Sequence, residues 1–177
     1  MINDRISKMS LIDNELGQSM NVVSQKLFKA NAVMDCISSR MDTVFGMPKA
    51  SEILHHRIAH QFPLLADIIT EYLVKRNYAV YYGQIPLIDY RYEKPSEYFW
   101  EFINIMGEIT DDINTAIGIA ERVKDYGSAD ILASFLSEHI ELYTKQAFIL
   151  YHQSAQEEEH GNLSAFNSHF EDLMIIE

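Results

Sequence analysis

The first candidates for metal chemistry are Glu52 and His55, because the four residues from Glu52 to His55 spell Glu-x-x-His. Residues three apart share one face of a helix, so this carboxylate and this imidazole could bind one transition-metal ion together. His56 and His60 follow closely, and the three histidines together could hold such an ion at a surface. The alternative stays open, since a histidine cluster near the start of a helix is more often solvated or part of an interface.

The charge balance bears on the kind of partner that the chain would attract. It has 14 Lys and Arg against 26 Asp and Glu, which gives a net charge of −12. Such a surface repels phosphate backbones, so nucleic acid is not expected as a partner, whereas metal cations would be attracted. A solvated acidic surface that keeps an assembly soluble explains the same count.

Other features of the sequence bear on the compartment and exclude several classes of activity. Cys36 is the only cysteine, so no intrachain disulfide can form and a reducing compartment is expected. Residues 1–20 contain no apolar run like that of a signal peptide, and no segment approaches the roughly 18 apolar residues of a membrane span. We therefore expect a cytoplasmic protein with no membrane partner. Nucleophile arrangements, phosphate-binding glycine loops and CxxC pairs are not found.

Apolar residues recur at steps of three and four along most of the chain, which indicates amphipathic helices. Gly46 and Pro48 end the first helix, and Pro95 opens the third. We predict one domain over residues 1–177, with an irregular extension over 1–16 and helices over about 17–45, 49–77, 95–125, 128–156 and 163–175. Pro63 predicts a kink around Ala59 to Pro63, because proline lacks the N–H that an interior helical position needs.

Residues 78–94 read YAVYYGQIPLIDYRYEK, which lacks both helical periodicity and a hairpin signal. A connection of this length is expected where the chain must travel the whole length of a helical bundle. Its tyrosines offer large amphipathic contact area of the kind that subunit interfaces use. We therefore predict packing between two subunits through the tyrosines of this crossover, which are Tyr78, Tyr81, Tyr82, Tyr90 and Tyr92.

The third and fourth helices carry a resemblance to a known family. Residues 109–139, ITDDINTAIGIAERVKDYGSADILASFLSEH, are similar to the ferritin run of Ile-Thr-x-x-Ile-Asn, a turn with Asp-Tyr, and Phe-Leu-x-x-Phe/Tyr-Val-x-Glu-Gln. The end of the crossover, Pro95-Ser96-Glu97-Tyr98, also looks ferritin-like. The chain thus resembles the non-haem bacterial ferritins over roughly residues 17–175. The resemblance implies an all-α, ferritin-like four-helix bundle with one long crossover and a short fifth helix, iron as mineral or as a weakly bound ion, and no haem.

Ferritins of this kind bind two irons through a Glu on the first helix, Glu-x-x-His on the second, a Glu on the third, and Gln or Glu on the fourth. Those positions fall here on Lys29, Phe62, Leu65, Met106 and His139. The resemblance therefore implies that the di-iron ferroxidase centre is degenerate and that the interior is packed with hydrocarbon. The fourth helix alone keeps plausible metal ligands, which are Glu138, His139 and Glu141.

The resemblance also suggests roles for the remaining candidate residues. Lys29 could reach Glu138 or Glu141 as an internal ion pair in place of the metal. His55 lies ten residues before Leu65, about 15 Å along the helix axis, at the level of Arg40, a cation. The acidic face of the third helix could be a solvated surface or could line a channel of an assembled shell; it comprises Glu108, Asp111, Asp112 and Glu121.

Three functional hypotheses remain. The favoured one is an iron-storage subunit that self-associates into dimers and a larger shell, alone or together with active ferritin subunits, without oxidising Fe(II) efficiently itself. The second is a structural or regulatory scaffold with the ferritin fold and no iron role. The third is an enzyme whose metal site has moved to His55, or to Glu138, His139 and Glu141. Metal analysis of the purified protein separates them.

Overall fold

The structure is a computed structural model that describes residues 9–176. Within that range the chain is helical and contains no strand. The α-helices are α1 (Asn14–Thr43), α2 (Pro48–Ile53), α3 (Gln61–Lys75), α4 (Pro95–Arg122), α5 (Tyr126–Phe135), α6 (Glu141–Glu159) and α7 (Leu163–Ser168). A first π-helical segment, Leu54–Ala59, leads from α2 towards α3, and a second, Leu136–Ile140, joins α5 to α6.

Four long helices form the predicted bundle: α1, α2 to α3, α4, and α5 to α6. Helix α1 packs against α3 and α4, and α4 packs against α5 and α6. Their apolar stripes meet in one buried cluster, so the all-α, four-helix-bundle architecture predicted from the sequence is confirmed. None of the helices in the described range is long and apolar enough to cross a membrane.

The ends of the chain differ in detail from the prediction. Helix α1 starts at Asn14 rather than at residue 17, because the Asp13 carboxylate caps it by accepting the backbone N–H of Glu15 at 2.9 Å. Residues 1–8 of the predicted irregular extension lie outside the described residues. The predicted last helix ends at Ser168, and a short 3₁₀ helix, Phe170–Leu173, follows it.

The kink predicted at Pro63 is confirmed. The second long helix is π-helical over Leu54–Ala59, turns at His60, and resumes as α3, so that Pro63 lies in the first turn of α3, where a missing N–H is tolerated. Pro63 cannot donate to the carbonyl of Ala59, four residues back. The side-chain amide of Asn31 on α1 donates to that carbonyl instead, at 3.1 Å. The bend is thus held by a specific partner from the neighbouring helix.

The crossover lies along α1 without regular structure, as predicted. The buried amide of Asn21 donates to the carbonyl of Tyr81 at 2.8 Å and accepts the N–H of the same residue at 3.3 Å. Gly17 lies directly against the ring of Tyr78, where any side chain would clash. Tyr78, like Tyr90 and Tyr92, packs on the core of its own bundle, so it is Tyr81 and Tyr82 that remain exposed.

Candidate metal centres

The middle of the bundle holds the positions at which the ferritin resemblance locates iron ligands. Phe62 and Met106 are fully buried there, and Leu65 is 6% exposed. The ring of Phe62 lies 6.3 Å from that of Phe102 and 5.2 Å from that of Tyr143, measured between ring centroids. Burial raises the pKa of Tyr143 to about 12, so its phenol is protonated at neutral pH. The buried positions around Phe62 are therefore lined by neutral side chains.

The buried side chains of the described residues are uncharged. Among residues 9–176, no Asp, Glu, His, Lys or Arg falls in the buried class. The buried polar side chains are neutral ones: Asn21, Ser24, Ser38, Thr70, Ser96, Ser128, Gln146 and Ser154. No carboxylate residue of the described range is buried as a whole, although one carboxylate oxygen, Oδ2 of the half-buried Asp112, is enclosed by the protein.

The ion pair predicted between Lys29 and Glu138 or Glu141 is wrong. The Lys29 ammonium lies 2.9 Å from the Glu108 carboxylate on α4, and Lys26 contacts the same oxygen at 3.0 Å. The cause is helical register, because residues 26 and 29 share the face of α1 that packs on α4, whereas Glu138 and Glu141 are exposed on the fourth long helix.

The same ion-pair cluster includes part of the acidic face of α4. Lys26 also lies 3.5 Å from Asp112, so Glu108 and Asp112 are paired with cations of α1. Partial burial of Glu108 opposes its ionisation, but the hydrogen bonds from Lys29 and Lys26 outweigh burial and lower the pKa of Glu108. Asp111 and Glu121 stay exposed. Glu108 and Asp112 thus belong to an ion-pair cluster between α1 and α4, whereas Asp111 and Glu121 face solvent.

Glu138, His139 and Glu141 lie where the second π-helical segment leads into α6. Glu138 and Glu141 are exposed, and His139 is half-buried with its ring 5.4 Å from that of Phe135. Glu138 and His139 line a shallow cleft with Asp130. The ligand atoms of the three residues do not form a tight group of the kind that the next cluster forms. Metal binding here stays a prediction.

His55, His56 and His60 are brought together. Within the described part of the chain they are the one group of three or more His, Cys, Asp or Glu residues whose ligand atoms all lie within 4.8 Å of one another. The ring nitrogen Nδ1 of His55 lies 2.9 Å from the carboxylate of Asp35 on α1. Glu52 is not part of this group, so the literal Glu-x-x-His pattern is not what places the imidazoles.

Sequence reasoning missed the two α1 residues that support this cluster. Asp35 contacts His55, and Asn31 donates to Asp35 at 3.2 Å as well as to the carbonyl of Ala59. Pro63 was the one available signal, since the carbonyl that it frees must find another donor. The identity of that donor depends on how α1 packs against the second long helix, which helical periodicity does not determine.

The helical architecture is that of a ferritin-type bundle, and the comparisons with known proteins agree. The model of the ferritin-like domain family matches residues 46–146, so the chain belongs to that family. The chain is similar in structure to an open-pore ferritin from the hyperthermophilic archaeon Archaeoglobus fulgidus, with 14% identity, a TM-score of 0.82, and coverage of 96% of this chain and 100% of that one. It is also similar to a humanized archaeal ferritin, with 15% identity, a TM-score of 0.81, and coverage of 94% and 98%. No curated protein matches the sequence.

Proposed function

We propose that this chain is a ferritin-like shell subunit that serves iron storage without a di-iron ferroxidase centre of its own. The observation that carries the proposal is the middle of the bundle, where Phe62, Leu65 and Met106 occupy the positions that the family resemblance assigns to iron ligands. The single cysteine supports a reducing, cytoplasmic location.

An apolar interior has a direct consequence for Fe(II) chemistry. Transferring a charged ion into hydrocarbon without paired ligands costs many kcal/mol, so Fe(II) would not enter the space around Phe62. Oxidation would then take place in solution or on partner subunits that keep an intact centre. The subunit's own contribution is passive: it encloses the mineral and offers carboxylates on which ferric ions can nucleate.

Exposed carboxylates on the fourth long helix are the groups that we assign to this contact with iron. Glu138 and Glu141 are exposed, and Asp130 lines the same cleft as Glu138 and His139. Carboxylate oxygens are hard ligands that suit hard cations, and the net charge of −12 attracts cations to the surface. Metal contact at Glu138, His139 and Glu141 would therefore be loose and open to solvent.

Self-association is supported by an apolar surface on the crossover. Leu87 is 92% exposed, and Tyr82 is 68% exposed. Tyr82 and Ile85 border a groove of about 350 Å³ against Val22 and Phe28 of α1. Exposed apolar groups that form a contiguous patch mark interaction sites. We propose that a second copy of this chain, or a ferritin subunit of similar shape, covers this groove in the assembled shell.

Stopped-flow oxidation of Fe(II) tests the proposal, with a ferritin of intact centre as reference. We expect no fast phase that saturates at two Fe(II) per chain, a large hollow oligomer by light scattering, and hundreds of irons per assembly after slow loading. A matched pair of variants locates the mineral contact: Glu138→Gln with Glu141→Gln should slow mineral growth, and Glu121→Gln on α4 should not.

Each other outcome has a defined meaning. Oxidation as fast as that of the reference ferritin would overturn the proposal. A large oligomer with iron near zero after growth in iron-rich medium would replace it with the scaffold hypothesis, which the loss of the ligand positions also supports. A monomer or simple dimer would argue against the shell.

A further inference from the structure

The first π-helical segment changes which side chains lie next to each other. In an α-helix, residues five apart differ by about 140° around the axis and point away from each other. In a π-helical turn the hydrogen bond runs between residues five apart, so residue i+5 lies over residue i. His60 donates its backbone N–H to the carbonyl of His55 at 3.2 Å in this way. The imidazoles of His55 and His60 consequently lie against each other edge to face, with ring centroids 4.2 Å apart.

His56 completes a triangle of imidazoles. Its ring centroid lies 5.0 Å from that of His55 and 5.5 Å from that of His60. Nitrogen ligands of one tetrahedral zinc ion lie about 3.3 Å from each other. Because the three ligand atoms are already within 4.8 Å, closing on a metal requires only small rotations of exposed or half-exposed side chains.

Neighbouring residues orient one of these imidazoles. Asp35 engages Nδ1 of His55, which leaves Nε2 for a metal, and a carboxylate in this role fixes the ring and strengthens it as a ligand. Asn31 holds Asp35 and, through the carbonyl of Ala59, the end of the π-helical segment. One amide therefore ties the supporting carboxylate to the backbone turn that gathers the histidines.

The accessibility of the histidine cluster and the charge around it also favour the binding of a cation. His55 and His56 border an open cleft of about 610 Å³ that is lined by three carboxylates, those of Asp35, Asp42 and Glu52. Arg57, which lies within the same segment, is engaged by Glu171 at 2.6 Å. The cleft can admit an ion together with the water molecules that would fill its remaining coordination positions.

We propose that His55, His56 and His60, supported by Asp35, bind a divalent transition-metal ion of the zinc and copper type. Three imidazoles suit Zn(II), Cu(II) and Ni(II), whereas Mg(II) and Ca(II) require oxygen ligands. This site lies on the outside of the second long helix and is separate from the interior around Phe62. Metal binding at this site does not depend on iron storage, and iron storage does not depend on it. The two proposals can therefore be tested independently.

Zinc titration of the metal-free protein, with a chromophoric chelator as competitor, tests the site. We expect His60→Ala and His56→Ala each to weaken Zn(II) binding at least about 10-fold, and Asp35→Asn to weaken it about 10–100-fold through the loss of the orienting contact. His152→Ala, which removes an exposed histidine of α6, is the matched control and should leave the affinity unchanged. Circular dichroism confirms that each variant is folded.

Cobalt gives a second readout that a merely structural role of Asp35 would not move. Co(II) bound by three imidazoles should show visible absorption bands, and Asp35→Asn should change their position or intensity. The proposal is overturned if a triple variant, His55→Ala with His56→Ala and His60→Ala, binds Zn(II) as tightly as the wild type. It is equally overturned if His152→Ala weakens binding as much as His60→Ala, because binding would then be adventitious surface capture only.

Discussion

Two regions of the second long helix, only a few residues apart, have opposite chemistry. Around Phe62 and Leu65 the helix contributes hydrocarbon to a buried interior, whereas around His55 and His60 it presents polar groups to solvent. The two regions meet at the turn at His60, which follows the π-helical segment and precedes α3. One helix can therefore combine an apolar buried face with an exposed group of imidazoles, because the two regions depend on different packing constraints.

A charge placed in the interior should have the largest effect on stability. Phe62→Glu should lower the free energy of unfolding by about 4 kcal/mol or more, because the new carboxylate is buried without a partner. Leu64→Glu on the same helix, where the side chain is 58% exposed, should change it by less than about 0.5 kcal/mol. Urea denaturation measures both. Equal effects for the two variants would show that the interior is not closed.

Asn31 connects the two regions, and replacing its side chain tests this connection. Asn31→Ala leaves the carbonyl of Ala59 without its donor, and we expect a loss of about 1–3 kcal/mol in the free energy of unfolding. Asn104→Ala, at an exposed position of α4, is the control and should be nearly neutral. If chemical denaturation gives Asn31→Ala the same stability as the control, the amide does not hold the bend.

The smallest expected effect concerns the ion-pair cluster between α1 and α4. Since the pKa of Glu108 is lowered on folding from its ordinary 4.5, its stabilising contribution is present above pH 4.5 and is lost as pH falls through the lowered value. Glu108→Gln should therefore destabilise at pH 7 by less than about 1 kcal/mol, because the carboxylate is 44% exposed. The difference from wild type should shrink at acidic pH and at high salt. A difference that grows with acid would contradict the assignment.

Sequence reasoning predicted the elements far better than their contacts. Stripes of apolar residues and the breaks at Pro48, Pro63 and Pro95 reflect local chemistry, and they located the four long helices and the kink. The partner of Lys29 was missed because α1 offers Lys26 and Lys29 on one face, and only the packing of α1 against α4 decides that Glu108 receives them both. The sequence shows that the three histidines are close together along the chain. Their geometry comes from a π-helical turn, which helical periodicity does not predict.

Anomalous diffraction from crystals soaked separately in Fe(II) under anaerobic conditions and in Zn(II) would locate the metal ions that this chain binds. We expect no ordered metal between the four long helices around Phe62, Leu65 and Met106 with either ion. Zinc density should appear instead among His55, His56 and His60. Two iron peaks inside the bundle, a few ångströms apart and in contact with these four helices, would contradict the account.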